Sequence, residues 1–246
     1  MKIVVIGGTG LIGSTVVARL GEHGHEAVPA APSTGVDTLT GEGLKDVVQG
    51  ADVLVDVSNS PSFADDDVLA FFRTSTGNLV DAVREAGVGH YVALSVVGSE
   101  RLPESGYLRA KVAQEALIKE SGLPYTIVRA TQFFEFAGGI ADTSTTDGVV
   151  HLPSGGVQPI AAAEVAAAVG RAAAGEPVGG TIEIGGPEVF GLDEWIRTVL
   201  AARSDTREVV SDPQARYFGT LLEKDSLLPG PGAQLAETRL AEWLAR

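Results

Sequence analysis

At 246 residues the chain is long enough for one α/β domain with a small lobe and a sizeable buried core, and two separate domains are not expected. Its 18 basic residues against 32 acidic ones leave a formal charge of −14, which repels nucleic acid and anionic lipid surfaces. With no cysteine there is no disulfide, thiolate nucleophile or cysteine-held cluster, so redox chemistry has to come from a bound cofactor.

The chain opens on an apolar run, Ile3-Val4-Val5-Ile6, followed by Gly7-Gly8-Thr9-Gly10-Leu11-Ile12-Gly13 and an amphipathic stretch ending near Leu20. The order is strand, glycine turn, helix. Such spacing meets three needs of a dinucleotide site: a sharp turn out of the strand, close approach of bare backbone to the pyrophosphate, and tight packing of helix on strand. The free N–H groups and positive end of the helix face the phosphates, so no lysine is required.

Further apolar runs follow at Ala27-Val28, Val53-Leu54-Val55, Tyr91-Val92-Ala93-Leu94 and Tyr125-Thr126-Ile127-Val128, each between helix-like segments. This alternation predicts an α/β fold, a doubly wound parallel sheet of Rossmann type with right-handed crossovers. Ligands of such sheets sit beyond the carboxyl ends of the strands. The positions of interest are therefore the glycine turn, Pro32-Ser33-Thr34, Ser58-Asn59-Ser60, Ser95-Val96-Val97-Gly98 and Thr131-Gln132-Phe133-Phe134. The end of the second strand, where an acid would take the ribose 2′-hydroxyl of NAD(H), carries neither acid nor arginine. The hydroxyls of Ser33 and Thr34 there favour NADP(H), although Asp37 could still approach the ribose.

Asp65-Asp66-Asp67 reads as the acidic first turn of a helix, complementing its dipole, and not as a metal site. His23, His25, His90 and His151 show no ligand spacing, so no metal is expected. Tyr107 and Lys111 open a helical period running to about Ser121, and residues four apart share a helical face. A free phenol titrates near ~10 and is a poor acid–base group at neutral pH, so an adjacent ammonium is what it needs. Ser95, at a strand end, is placed to hold a substrate oxygen, with Ser99 and Ser105 as alternatives for that role.

These motifs resemble those of the atypical or extended short-chain dehydrogenase/reductases, including the NmrA-like and isoflavone-reductase-like proteins. Gly7, Gly10 and Gly13 match the nucleotide motif, Tyr107 and Lys111 the Tyr-x-x-x-Lys motif, and Ser95 the catalytic serine. Pro159-Ile160 leading to Glu164-Val165-Ala166, and Ile184-Gly185-Gly186-Pro187, resemble C-terminal segments of the extended group. The resemblance implies hydride transfer between a nicotinamide and a carbonyl or alcohol. It also implies Ser95, Tyr107 and Lys111 as catalytic residues, with Gly7 to Gly13, Ser33, Thr34, Ser58, Asn59 and Lys111 on the cofactor.

After about residue 148 the pattern loosens into an alanine-rich helix over 161–174, a strand over 181–184 and helices near 192–202 and 233–244. The expected organisation is a dinucleotide domain over 1–148 and a substrate-covering lobe over 149–246, packed together. Phe133, Phe134 and Phe136 follow the fifth apolar run and are expected to bind an apolar substrate. Expected partners are a small-molecule substrate and a possible homodimer mate, with no nucleic acid and no membrane. Met1 to Ile6 is too short for a secretory apolar region and the alanine-rich stretch carries Glu164 and Arg171, so the expected location is cytoplasmic. The leading expectation is an NAD(P)H-dependent reductase of a small apolar carbonyl or quinone-like compound. A dinucleotide redox sensor without turnover and a sugar-nucleotide epimerase are the alternatives.

Overall fold

The computed structural model describes residues 1–246. In chain order the elements are β1 (Lys2–Ile6), α1 (Leu11–Glu22), β2 (Glu26–Ala30), α2 (Leu44–Val48), β3 (Val53–Asp56), α3 (Asp65–Ala86), β4 (His90–Val96), α4 (Gly106–Glu120) and β5 (Tyr125–Ala130). They continue as α5 (Ala137–Thr143), β6 (Thr145–Thr146), β7 (Val149–Leu152), β8 (Gly156–Val157), α6 (Ala162–Ala174), β9 (Gly180–Gly185) and β10 (Phe190–Gly191). The last are α7 (Leu192–Ala202), β11 (Glu208–Ser211), β12 (Gln234–Leu235) and α8 (Leu240–Leu244).

A seven-stranded parallel sheet, ordered β12-β9-β5-β4-β3-β1-β2, forms the centre of the fold. Val4 of β1 lies between Val28 of β2 and Leu54 of β3, and Ile3, Val4, Val5, Leu54 and Val55 are fully buried. Burial on both faces explains why these strands read as unbroken apolar runs. From β1 the chain steps first to β2 and then back across to β3, so the order reverses between β1 and β3. The carboxyl ends of those two strands make the switch point at which open α/β sheets bind ligands.

The chain divides into two compact units that interleave along the sequence: residues 1–95, 106–129 and 163–182, and residues 96–105, 130–162 and 183–246. This differs from the single boundary at 148 expected from sequence. The chain leaves the first unit after Ser95, returns to it with α4, and returns again with α6. A long-range contact pattern of this kind leaves no composition break to read. In the second unit β7 pairs with β6 and β11, β8 pairs with β10, and Trp195 of α7 is fully buried.

The expected helix over 233–244 is corrected by the structure. Gln234 and Leu235 pair in parallel with Ile184 and Gly185 of β9, and only Leu240–Leu244 are helical. The edge of β9 offers unpaired backbone groups, and Ala236 N–H also donates to the Gly185 carbonyl (2.8 Å). Sheet pairing takes the segment that helical spacing alone assigned to a helix. The tail beyond it is nonetheless tied down: Trp243 Nε1 donates to Glu135 (3.1 Å) and its ring meets Phe134 at 5.3 Å. No helix is long and apolar enough to cross a membrane.

Candidate active site

The glycine turn is built around backbone approaches that exclude side chains. Gly7 has φ +75°, and a Cβ there would lie 3.0 Å from the backbone of Ser58, so the ends of β1 and β3 meet at this residue. A Cβ on Gly8 would fall 2.6 Å from the Val5 carbonyl oxygen and 2.7 Å from Pro29 Cα, and one on Gly13 would fall 2.1 Å from the Gly7 carbonyl oxygen. Gly8 and Gly13 therefore exist to pack α1 onto the strands. Gly10 differs: it is the N-cap of α1, is exposed, makes no side-chain cap, and a Cβ there would meet only the Gly7 oxygen at 3.3 Å. What a side chain at Gly10 would fill is the space in front of the first N–H groups of the helix. The turn thus fits a pyrophosphate, with Thr9 and Ser33 beside it (Oγ to Oγ1 3.5 Å).

Two of the expected ribose contacts are engaged elsewhere. Thr34 Oγ1 accepts from Ala31 N–H and lies 2.9 Å from the Ala31 carbonyl, closing its own turn. Asp37 Oδ1 accepts from the N–H groups of Leu39 (2.7 Å) and Thr40 (3.2 Å), an Asx-type turn that explains the acid without a ribose. On β3's side Ser58 donates its hydroxyl to Asp56 (2.6 Å), and Asn59 accepts from Ser60 N–H (3.0 Å).

Helix α4 places the expected acid–base residues. Its first residue is Gly106, where a Cβ would overlap the Asp65 carboxylate at 1.9 Å. Glycine here lets Asp65, which starts α3, close over the beginning of α4, and Arg109 pairs with the same carboxylate (2.7 Å). Tyr107 follows at once. Its ring lies 5.5 Å from Phe63 and 6.4 Å from Phe72, while Lys111 Nζ sits 4.3 Å above that same Phe72 ring. One aromatic of α3 therefore contacts both members of the Tyr-x-x-x-Lys pair. Burial pushes the Tyr107 phenol up to about 12 and pulls the Lys111 ammonium down to about 8. Lys111 is 3 % exposed and donates to the Leu94 carbonyl (2.9 Å) and to Gln114 Oε1.

Ser95 is buried at the end of β4, but its hydroxyl donates to Glu115 Oε1 (2.7 Å). Glu115 also accepts from Arg129 (2.7 and 2.8 Å) and Lys119 (2.9 Å), bonds that hold its carboxyl below the usual range against the opposing effect of burial. The expectation that Ser95 holds a substrate oxygen thus meets a competing partner inside the protein. Ser99 likewise donates to the Val96 carbonyl (2.7 Å). In the second unit Phe133 and Phe136 stack at 4.9 Å with Phe136 about half exposed, whereas Phe134 is 1 % exposed and packs on Trp243. Of the three expected substrate contacts, Phe134 belongs to the core. Three residues escaped the sequence reading: Asp56, Gln114 and Glu115, each at most 2 % exposed. An acid closing the otherwise apolar run Val53–Asp56 was the available signal for the first.

The family model described as NAD(P)H-binding matches residues 7–174, which contain the glycine turn and all of α4. Among curated proteins, the isoflavone reductase homolog IRL of Zea mays is 31% identical over 163 residues, 55% of this chain and 50% of that protein. The chloroplastic divinyl chlorophyllide a 8-vinyl-reductase of Cucumis sativus is 31% identical over 169 residues, 56% and 40% of the two chains. The photosystem II assembly factor Ycf39 of Cyanophora paradoxa is 27% identical over 149 residues, 55% and 46%. The chain matches half or less of the length of each of these relatives. Solved structures share the fold across nearly all of the chain. MoeE5 in complex with UDP-glucose and NAD superimposes with TM-score 0.75 at 19% identity, covering 100% of this chain and 96% of that one. The UDP-glucose 4-epimerase of Thermus thermophilus with NAD gives 0.71 at 18%, covering 93% and 92%. With the match spanning more than half its residues, the chain belongs to the NAD(P)H-binding family.

Proposed function

We propose that this chain is an NAD(P)H-dependent reductase of a small apolar carbonyl or quinone-like compound, in which Tyr107 delivers the proton. The observation that carries this reading is the placement of Tyr107 and Lys111 against one ring, Phe72, at the start of α4. The backbone of Gly7 to Gly13 would hold the pyrophosphate, with Ser33, Ser58 and Asn59 at the neighbouring strand ends. When bound, the nicotinamide supplies the hydride. Burial alone keeps the Tyr107 phenol protonated, with its pKa raised to about 12 and so away from neutral pH, and the charge of Lys111 and of the bound nicotinamide would be what lowers it toward the working range. The charge left on the phenolate is then met by the Lys111 ammonium one helical turn away. Ser95 and Ser99 donate their hydroxyls within the protein, so neither is aimed at a substrate oxygen in this structure, and Tyr107 carries the reading. Reductases among the relatives support the reaction class.

The cofactor preference proposed is NADP(H), since the residues that close β2, Ala30-Ala31-Pro32-Ser33-Thr34, carry no carboxylate and Asp37 beyond them is turned onto its own loop's N–H groups. A dinucleotide sensor without turnover remains a second reading, favoured by one observation: the Ser95 hydroxyl is already taken by Glu115. The deciding experiment is reduction of a panel of quinones, aromatic ketones and aldehydes with NADPH, followed by Tyr107→Phe on any compound turned over. Loss of the proton donor should lower kcat at least ~10²-fold with cofactor affinity almost unchanged. Wild-type turnover by Tyr107→Phe would refute the mechanism, and tight NADPH binding with no compound reduced would favour the sensor.

A further inference from the structure

A buried polar chain runs from the end of β3 into α4, and the proton-donor reading of Tyr107 makes no use of it. Asp56 is 1 % exposed, and its carboxylate accepts four hydrogen bonds: from Ser58 N–H (3.0 Å), Ser58 Oγ (2.6 Å), Tyr91 Oη (3.2 Å) and Gln114 Nε2 (2.9 Å). Gln114, also 1 % exposed, turns its other end, Oε1, to Lys111 Nζ. The orientation of that carboxamide is dictated chemically. A carboxylate only accepts and an ammonium only donates, so a group joining them must donate at one end and accept at the other. Polarisation at both ends strengthens each bond in a low-dielectric interior.

We infer that Asp56 and Gln114 form a positioning relay that keeps Lys111 charged and correctly aimed, and ties it to the Ser58 segment beside the glycine turn. Its catalytic consequence rests on the proposed function, while its physical consequence does not. The titratable groups around Lys111 are Asp56 on β3, Tyr91 on β4, and Tyr107 and Glu115 on α4; the residue facing it from α3, Phe72, is neutral. Burial drives the ammonium toward its neutral form, and Asp56 opposes this more than Glu115 does. Glu115 already answers Arg129 and Lys119, whereas none of the partners of Asp56 is a cation. The charge of Asp56 is therefore the one available to Lys111, and Gln114 is the bridge. Its far side also fixes Ser58, whose backbone abuts Gly7, so a single carboxylate braces both the nucleotide turn and the lysine.

The test is an NMR titration of lysine Nζ and Cε in protein labelled with ¹³C and ¹⁵N. The chain has five lysines, and Lys111→Met identifies the signal of interest. Asp56→Asn keeps the shape and removes the charge, and should lower the Lys111 midpoint by at least about one pH unit. Gln114→Met removes the bridge and should act in the same direction. The double variant should go no further than the larger single one, as residues acting in one chain do. Tyr91→Phe cuts a different bond to the same carboxylate and leaves the relay whole, so the midpoint should stay at or above its wild-type value. A structural brace with no charge role would instead make Asp56→Asn and Tyr91→Phe shift it alike. An unchanged midpoint in folded Asp56→Asn overturns the inference; should that variant not fold, an unchanged midpoint in Gln114→Met does so. If the protein proves to be a reductase, the alkaline limb of kcat should move to lower pH by the same interval in Asp56→Asn. A wild type that reduces nothing defeats the proposed function and leaves the titration result standing.

Discussion

Gly10→Val and Gly13→Ala separate what the glycine turn does for a ligand from what it does for the fold. Gly10 has φ −82° and ψ −176°, an extended conformation that a β-branched residue adopts without strain, and it is exposed. Valine is a poor N-cap, but Gly10 offers no side-chain cap to lose, so the stability cost should be no more than about 1 kcal/mol. For a chain of this length that is a fall of roughly 2–4 °C in Tm. The valine methyls would occupy the space ahead of the helix N–H groups. Two charge-assisted hydrogen bonds to the pyrophosphate lost at about 1.5–3 kcal/mol each amount to ~10²–10⁴-fold in affinity. Gly13→Ala is the opposite case, because its Cβ would sit 2.1 Å from the Gly7 oxygen and 2.7 Å from Gly8 Cα, both backbone. Helix α1 would have to move off the strands, an overpacking that costs about 1–3 kcal/mol or more. Calorimetric titration with NADPH and scanning calorimetry on both variants read the two effects separately. Wild-type NADPH affinity in Gly10→Val would refute the assignment of this turn to the pyrophosphate.

Lys111 should leave a signature in stability against pH. Its folded pKa of about 8 lies below the ordinary lysine value of 10.5, so between those values the unfolded chain binds more protons and stability from this group rises with pH. Over that window wild type should gain about 3 kcal/mol on Lys111→Met by denaturant unfolding, and parallel curves would show that the ammonium is solvated. Glu115→Gln would leave Arg129, buried to 12 % side-chain exposure, without its carboxylate, and should cost about 3 kcal/mol by urea unfolding. The sign for Glu115 is opposite to that for Lys111. Its pKa is depressed, so its contribution is present above the unfolded value and lost as pH falls through the folded one; an acid limb of stability identical in Glu115→Gln would contradict this. NADPH should bind at least as tightly as NADH, and a clear calorimetric preference for NADH would mean that the backbone after β2 reads the ribose hydroxyl.

Ile3–Ile6 with its glycines, the apolar runs near 53, 91 and 125, and the spacing of Tyr107 and Lys111 were all legible because each is a local pattern. A strand buried on both faces must be apolar throughout, a turn with no room for a Cβ must be glycine, and residues four apart on a helix must share a face. Those constraints act over a few residues, so the sequence by itself determined the α/β class, the glycine turn after β1 and the shared helical face of Tyr107 and Lys111 on α4. The partners of polar side chains obey no such spacing. Asp56 reaches Gln114 across 58 positions, and Ser95 reaches Glu115 across 20. Thr34 and Asp37, which looked like ribose contacts, spend their hydrogen bonds on their own turns. The segment near 234 became a strand because the edge of β9 was there to receive it. Which hydroxyl is free, which lysine is braced, and which helical pattern yields to sheet pairing were decided only by tertiary structure. A buried polar group must find a partner wherever packing brings one, and that partner's position along the chain is set by topology alone.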